Sequence, residues 1–318
     1  MIIKFIDTLC IHPHYNLLQE EADLVLSGYP KFDTKKLLGE SNIVYKWDPS
    51  TLDYFGETKA MGAPEVKDIV AKAKVAQEEW KNSSFATRKL LMRTMQRYIT
   101  ENQEACARVA VRESGKTLLD ALIGEVLVTC EKLSWLVSSG EKCLVPEARE
   151  SGKMMIMKKV HVEWAPLGVI GAIVPWNYPF HNVFNPVSAA LFSGNAIVIK
   201  VSEYASWSIR YYKAIIDGCL DAVGAPRDLV QFVVGYGMTG SALVTGGVDK
   251  VIFVGSPGVG VIVARTAADN LTPGTSVSSP APTPLPPLPS SFFSLSHLSL
   301  VSPLDVQWCW SWVVRIRS

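Results

Sequence analysis

The sequence predicts an α/β fold: a doubly wound parallel sheet, incomplete at its end, with helices and a strand extension before it and a disordered tail after it. Three observations carry this. From Pro166 on, short apolar runs at 168–174, 196–201, 229–234 and 250–254 alternate with helix-patterned stretches near 183–192, 207–222, 239–244 and 259–269. Runs that are apolar at every position, rather than at every second one, suit strands covered on both faces, as in parallel sheets. The second observation is three- and four-residue apolar spacing over 64–133, the period of helices that bury one stripe. The third is an abrupt change of composition after Pro273.

In order, residues 1–44 show weak periodicity and read as a poorly packed lead-in. From Pro64, one helical stripe is Val66, Ile69, Val70, Ala73 and Trp80, and the next is Leu90, Leu91, Met95 and Tyr98. Gly115 marks a break, after which Leu118, Leu122, Val126 and Leu133 continue the pattern. The segment 151–164, with its string MMIMKKVHVEW, reads as strand, a hairpin leaving the domain body. The expected organisation is a lead-in at 1–44, helices and strand extension at 45–165, an incomplete doubly wound domain at 166–273 and a tail at 274–318.

The tail contains PAPTPLPPLP at 280–289 and no Lys or Glu. Proline denies it helix and central strand, so extended polyproline-like or disordered chain is expected. Low-complexity filler is preferred over a PxxP ligand for an SH3-like domain.

At 318 residues, 48% apolar and a net charge of +1, the chain can bury a sizeable core and presents no basic field for nucleic acid. Six scattered cysteines without a CxxC pair favour reduced thiols in a cytoplasmic setting over disulfides or zinc. No apolar segment reaches the length needed to span a bilayer.

The chemistry gathers where strands end. Asn177 lies just past the first predicted strand, and Lys200 and Glu203 close the second. An amide there can hold a developing oxyanion, and a Lys–acid pair can grip ribose hydroxyls. Two glycine motifs compete for phosphates: Gly235-Tyr236-Gly237-Met238-Thr239-Gly240, and Gly255-Ser256-Pro257-Gly258-Val259-Gly260 at the start of a helix. The second is the better pyrophosphate seat, because free N–H groups and a Ser hydroxyl open that helix. The first reads as a tight turn.

PWNYP at 175–179, IVIKVSE at 197–203 and VDKVIFVGSPGVG at 248–260 resemble the aldehyde dehydrogenase superfamily, most of all its plant and fungal family-22-like branch. The likeness runs from about Tyr45 to Pro273. It implies a Rossmann-like cofactor domain, with Asn177 as the oxyanion donor. Val174, Trp176, Lys200, Glu203, Gly235, Gly255 and Ser256 would be the cofactor contacts: Lys200 and Glu203 on the adenosine ribose, Ser256 and the Trp176 indole on phosphate, Gly235 lining the adenine pocket. NAD is the implied cofactor, since an acid at Glu203 opposes a 2′-phosphate; NADP stays open because Lys200 offsets that charge. The resemblance also implies a small-molecule aldehyde as substrate, homo-oligomers built through the strand extension, and a membrane-associated form in some relatives.

The likeness stops before the family's nucleophilic cysteine and general base. Relatives continue from LTP into VTLELGGK, whereas here Gly274 follows LTP. A Val codon split after its first G, followed by an intron opening GT, reads as Gly; intron read-through or a misdrawn gene boundary is therefore expected. Cys106, Cys130, Cys143 and Cys219 read as ordinary helix or connector residues, Cys309 lacks the family's surroundings, and His12-Pro13-His14 offers too few ligands for a metal. The sequence therefore predicts an aldehyde dehydrogenase relative that does not turn over as written. The alternative is a non-catalytic nucleotide- or partner-binding fragment.

Overall fold

The computed structural model describes residues 42–277 and the backbone of 312–317. The predicted lead-in and the PxxP stretch therefore lie outside the described residues, apart from the start of β1 at Ile43. The chain opens with an antiparallel pair, β1 (Ile43–Trp47) and β2 (Tyr54–Lys59). Three helices follow: α1 (Ala63–Trp80), α2 (Phe85–Glu101) and α3 (Gln103–Ser114). Ser84 caps α2 by accepting from Thr87 N. Gly115 ends α3 in the left-handed region at φ 71°, as its sequence position suggested.

A short α4 (Leu118–Ala121) runs through a π-helical turn (Leu122–Leu127) into α5 (Val128–Ser139). In α2 the buried stripe is Leu91, Met92, Met95, Tyr98 and Ile99, while Leu90 is exposed; Leu118 is exposed too. Adjacent apolar residues lie 100° apart on a helix, so a run of leucines does not reveal which one turns inward.

The strand extension is smaller than expected. Only β3 (Glu147–Arg149) and β4 (Val160–Pro166) are strands, paired Arg149 to Val160, and 153–155 is a 3₁₀ turn. With so short a partner in β3, the MMIM segment has no ladder to join and forms the hairpin's loop instead.

The central sheet is parallel and has five strands in the order β7-β6-β5-β8-β9: β5 (Val169–Ile173), β6 (Ala196–Lys200), β7 (Val230–Val233), β8 (Lys250–Val254) and β9 (Gly274–Val277). Helices α6 (Pro179–Phe192), α7 (Ile209–Ala222), α8 (Gly237–Thr245) and α9 (Pro257–Asp269) make the crossovers. Every residue of β5 and β6 is buried, which is why those runs are apolar throughout. Helices α1 and α8 pack together against β5 and β6, and one hydrophobic cluster joins the N-terminal helices to the sheet.

Two segments assigned to the disordered tail are strands. Gly274–Val277 pairs in register with Val251–Val254, adding a fifth strand where the sequence reading ended the sheet. Trp312–Arg317 pairs antiparallel with β4, forming β10. Each is a proline-free stretch, so each can complete a ladder.

Candidate functional site

Strand order locates the site. From β5 the chain winds outward through β6 and β7, then returns to add β8 and β9 on the other side of β5. The reversal lies between β5 and β8, and in such sheets ligands sit at the carboxyl ends of the strands on either side. Ile173 aligns with both Lys200 on β6 and Phe253 on β8, and Val174 N donates to Lys200 O at 3.1 Å. The loops carrying Asn177, Lys200–Glu203 and Gly255–Ser256 therefore leave neighbouring strands at one edge. Gly235, just past β7, shares that edge.

The Asn177 loop is held from beneath. Glu125, fully buried in the π-helical turn, accepts from Phe180 N at 2.7 Å and His181 N at 3.2 Å, capping the first turn of α6. Its other oxygen accepts from Lys116 Nζ at 2.6 Å. The same ammonium donates to Asn177 O at 2.8 Å and lies 4.1 Å from the Tyr178 ring centroid. Beneath Tyr178 is Gly124, where a Cβ would come within 3.1 Å of the ring. Burial raises the Glu125 carboxyl, opposed by Lys116 and the two helix amides.

Asn182 Nδ2 donates to Asn177 Oδ1 and to Pro175 O, both at 3.2 Å. The Asn177 carbonyl oxygen is thereby engaged, and no described residue accepts from its NH₂ group. An exposed loop amide with an unspent donor is suited to a developing negative charge.

On β6, Lys200 is buried and lies 3.4 Å from Glu203 Oε2, which also accepts from Ser202 Oγ at 3.4 Å. Burial lowers the Lys200 ammonium, and Glu203 opposes that. Burial and the nearby Glu203 together hold the Tyr236 phenol above its ordinary value. Glu203 keeps part of its surface open and can still accept from a ligand hydroxyl.

Ser256 stands at the N-cap of α9 with no side-chain cap bond, and no acid occupies that helix's first turn. Its N–H groups are thus open to an anion. At the other motif, Gly235 has φ +156°, and a Cβ there would lie 2.0 Å from Thr239 Oγ1. Thr239 Oγ1 donates to Met61 O, and Met61 N donates to Val234 O. This GxGxxG therefore clamps the start of α1 to the end of β7, in keeping with a tight turn.

Val174 is buried and can offer only its backbone, whereas Trp176 is exposed beside the site. The described cysteines lie elsewhere: Cys106 in α3, Cys130 in α5, Cys219 in α7, and Cys143 in a 3₁₀ turn after α5. Burial pushes the Cys106 and Cys219 thiols up to about 12, against thiolate formation. Cys309 lies outside the described residues, as do Cys10 and the His12/His14 pair.

The sequence profile of the aldehyde dehydrogenase family matches residues 38–277. The chain belongs to the aldehyde dehydrogenase family. It is 38% identical over 226 residues to an aldehyde dehydrogenase-like protein of Schizosaccharomyces pombe, covering 71% of this chain and 43% of that one. An aldehyde dehydrogenase-like protein of Saccharomyces cerevisiae is 39% identical over 243 residues, covering 74% and 38%. The chain thus spans about two fifths of the length of these curated relatives. Among solved structures, an aldehyde dehydrogenase from Burkholderia cenocepacia is similar at TM-score 0.66 and 30% identity, covering 74% of this chain and 48% of that one. A Mycobacterium tuberculosis aldehyde dehydrogenase complexed with NAD+ superposes at TM-score 0.67 and 24% identity, covering 76% and 49%, a likeness of fold.

Lys116, Glu125 and Asn182 escaped the sequence reading. Glu125 had a signal: an acid inside the apolar stripe Leu122–Val126 needs a buried partner.

Proposed function

We infer that this chain is the cofactor side of an NAD-linked aldehyde dehydrogenase, with NAD preferred over NADP. The observation that carries this reading is the free NH₂ of Asn177 beside the Lys200–Glu203 pair and the open start of α9, on adjacent strand ends. Lys200 and Glu203 would hold the adenosine ribose, Ser256 with the Trp176 indole the phosphates, and Gly255, Gly235 and the backbone at Val174 would line the cleft. The nicotinamide, when bound, would supply a hydride acceptor. In a complete enzyme that also supplies a nucleophilic thiolate, the amide at Asn177 would donate to the aldehyde oxygen as that thiolate adds to the carbonyl carbon, and losing such a donor typically raises the barrier by about 3–4 kcal/mol.

No described cysteine lies on the loops after β5, β6, β7 or β8. The 318-residue chain is therefore proposed to bind cofactor without oxidising aldehyde. The four described thiols, scattered and unpaired, suit a cytoplasmic setting.

Calorimetric titration of NAD into the full chain tests this. The expected result is binding that weakens roughly 10- to 100-fold in Glu203→Ala, the range for a hydrogen bond to a charged group, and persists in Asn177→Ala. Equal affinity in Glu203→Ala, or no heat from a folded chain, would overturn the cofactor assignment. An NAD-dependent rate with aldehyde that is lost in Asn177→Ala would overturn the inactivity.

A further inference from the structure

The β3–β4 hairpin carries a tip unlike the rest of the surface. Across its loop, 150–159, the side chains of Met154, Ile156 and Met157 are 98%, 79% and 94% exposed. Lys153, Lys158 and Lys159 surround them, and no described carboxylate pairs with any of the three. The nearby acids are largely spoken for: Glu147 pairs with Arg149 at 2.5 Å and Glu163 with His161 at 3.3 Å, leaving Glu150. Three apolar side chains and three ammonium groups thus share one protruding turn.

We propose that this tip docks the protein on the surface of an anionic phospholipid bilayer, with Met154, Ile156 and Met157 entering the headgroup–acyl boundary and the three lysines lying among lipid phosphates. Unbranched methionines adapt to a disordered phase without a shaped partner. Lysine stems are long enough to let the apolar tip sink while their charges stay at headgroup level. Exposed apolar groups rimmed by polar residues mark an interaction surface, and here three lysines against Glu150, the one acid of the loop, complement an anionic membrane. Addition of a strand by a second copy fits less well: β4 already pairs with β3 on one edge and β10 on the other, and the loop lies outside both ladders. The mode is interfacial; among the described residues no helix is long and apolar enough to cross a membrane.

Co-sedimentation of the full chain with phosphatidylcholine vesicles, with and without phosphatidylserine, tests the proposal. Binding should require phosphatidylserine. Each lysine near an anionic surface contributes roughly fivefold in partition, so K153Q/K158Q/K159Q should lose about a hundredfold. Each apolar side chain withdrawn from the boundary should cost roughly tenfold, so M154D/I156D/M157D should abolish sedimentation. These positions are exposed, and circular dichroism should be unchanged in both variants. Equal binding to both vesicle types, or wild-type sedimentation by either variant, would overturn the proposal. So would a vesicle-free oligomer on gel filtration that the apolar variant dissolves, since that assigns the tip to a second copy.

Discussion

Lys116 Nζ and Glu125 Oε1 meet at 2.6 Å with the carboxylate fully buried, and the loop carrying Asn177 rests on the pair. Glu125 caps α6, Lys116 holds the Asn177 carbonyl, and the π-helical turn brings the acid between them. Local widening of a helix is a recurrent device at functional sites.

Removing the cation alone should be worse than removing both charges. Lys116→Met leaves Glu125 buried without a counter-ion, a change that typically costs roughly 3–5 kcal/mol. In Lys116→Met/Glu125→Gln the buried charge is gone, and a neutral amide can still accept from Phe180 N. Urea denaturation of the two variants should place the double well above the single; equal midpoints would mean that the pair contributes nothing through its charge.

Much of the sheet was legible because β5 and β6 are buried on both faces, leaving their apolar runs unbroken. β9 was missed because GTSV is short and polar, and only its register with β8 makes it a strand. At the site, residues on strand ends could be read: Asn177 follows β5, and Lys200 and Glu203 follow one another at the end of β6. Lys116 and Glu125 could not, since they reach the loop across 61 and 55 residues of sequence, and Asn182, though only five residues from Asn177, meets it only once the loop has turned into α6. The tip at 154–157 reads as strand in the sequence because a short apolar run does not say whether a partner lies opposite.

The two motif glycines 235 and 237 should respond differently to alanine. At Gly235, positive φ and a 2.0 Å approach to Thr239 leave no room for a methyl group, while at Gly237 nothing lies within 4 Å. Gly235→Ala should cost about 2–3 kcal/mol through strain and displacement of Thr239 from Met61. Gly237→Ala should be neutral, or raise stability by up to about 1 kcal/mol. Thermal melts compare them directly, and similar shifts would mean that the clamp on α1 does not depend on the close approach.

Glu203 should also set the choice between cofactors. A carboxylate placed to accept from a ribose hydroxyl meets a 2′-phosphate with like charge, which costs several kcal/mol when the groups are adjacent. Glu203→Gln should weaken NAD binding while narrowing the preference for NAD over NADP by about tenfold or more. Paired titrations of the wild type and the variant with both dinucleotides measure that ratio. An unchanged ratio would place the discrimination elsewhere.

Two buried groups should impose opposite pH dependences on stability. Glu113 accepts from Trp207 N, Ser208 N and Ser208 Oγ, and burial, against those bonds, lifts its carboxyl from 4.5 to about 7. In that interval the folded chain keeps a proton that the unfolded chain has released, so stability falls as pH rises, by about 3 kcal/mol in all. His181, buried beside Thr129 Oγ1 at 3.2 Å, is lowered from 6.5 to about 4, chiefly by burial and further by Lys132. Here the unfolded chain holds the extra proton, so stability rises with pH between those values by a similar amount. The two slopes offset each other over roughly pH 4.5–6.5, with Glu125, also raised by burial, reinforcing Glu113. With two raised carboxyls set against one lowered imidazole, urea midpoints across that range should fall with pH in the wild type. The fall should flatten in Glu113→Gln and steepen in His181→Asn, whose amide retains a partner for Thr129. Three parallel curves would mean that neither group carries its proton differently in the folded and unfolded states.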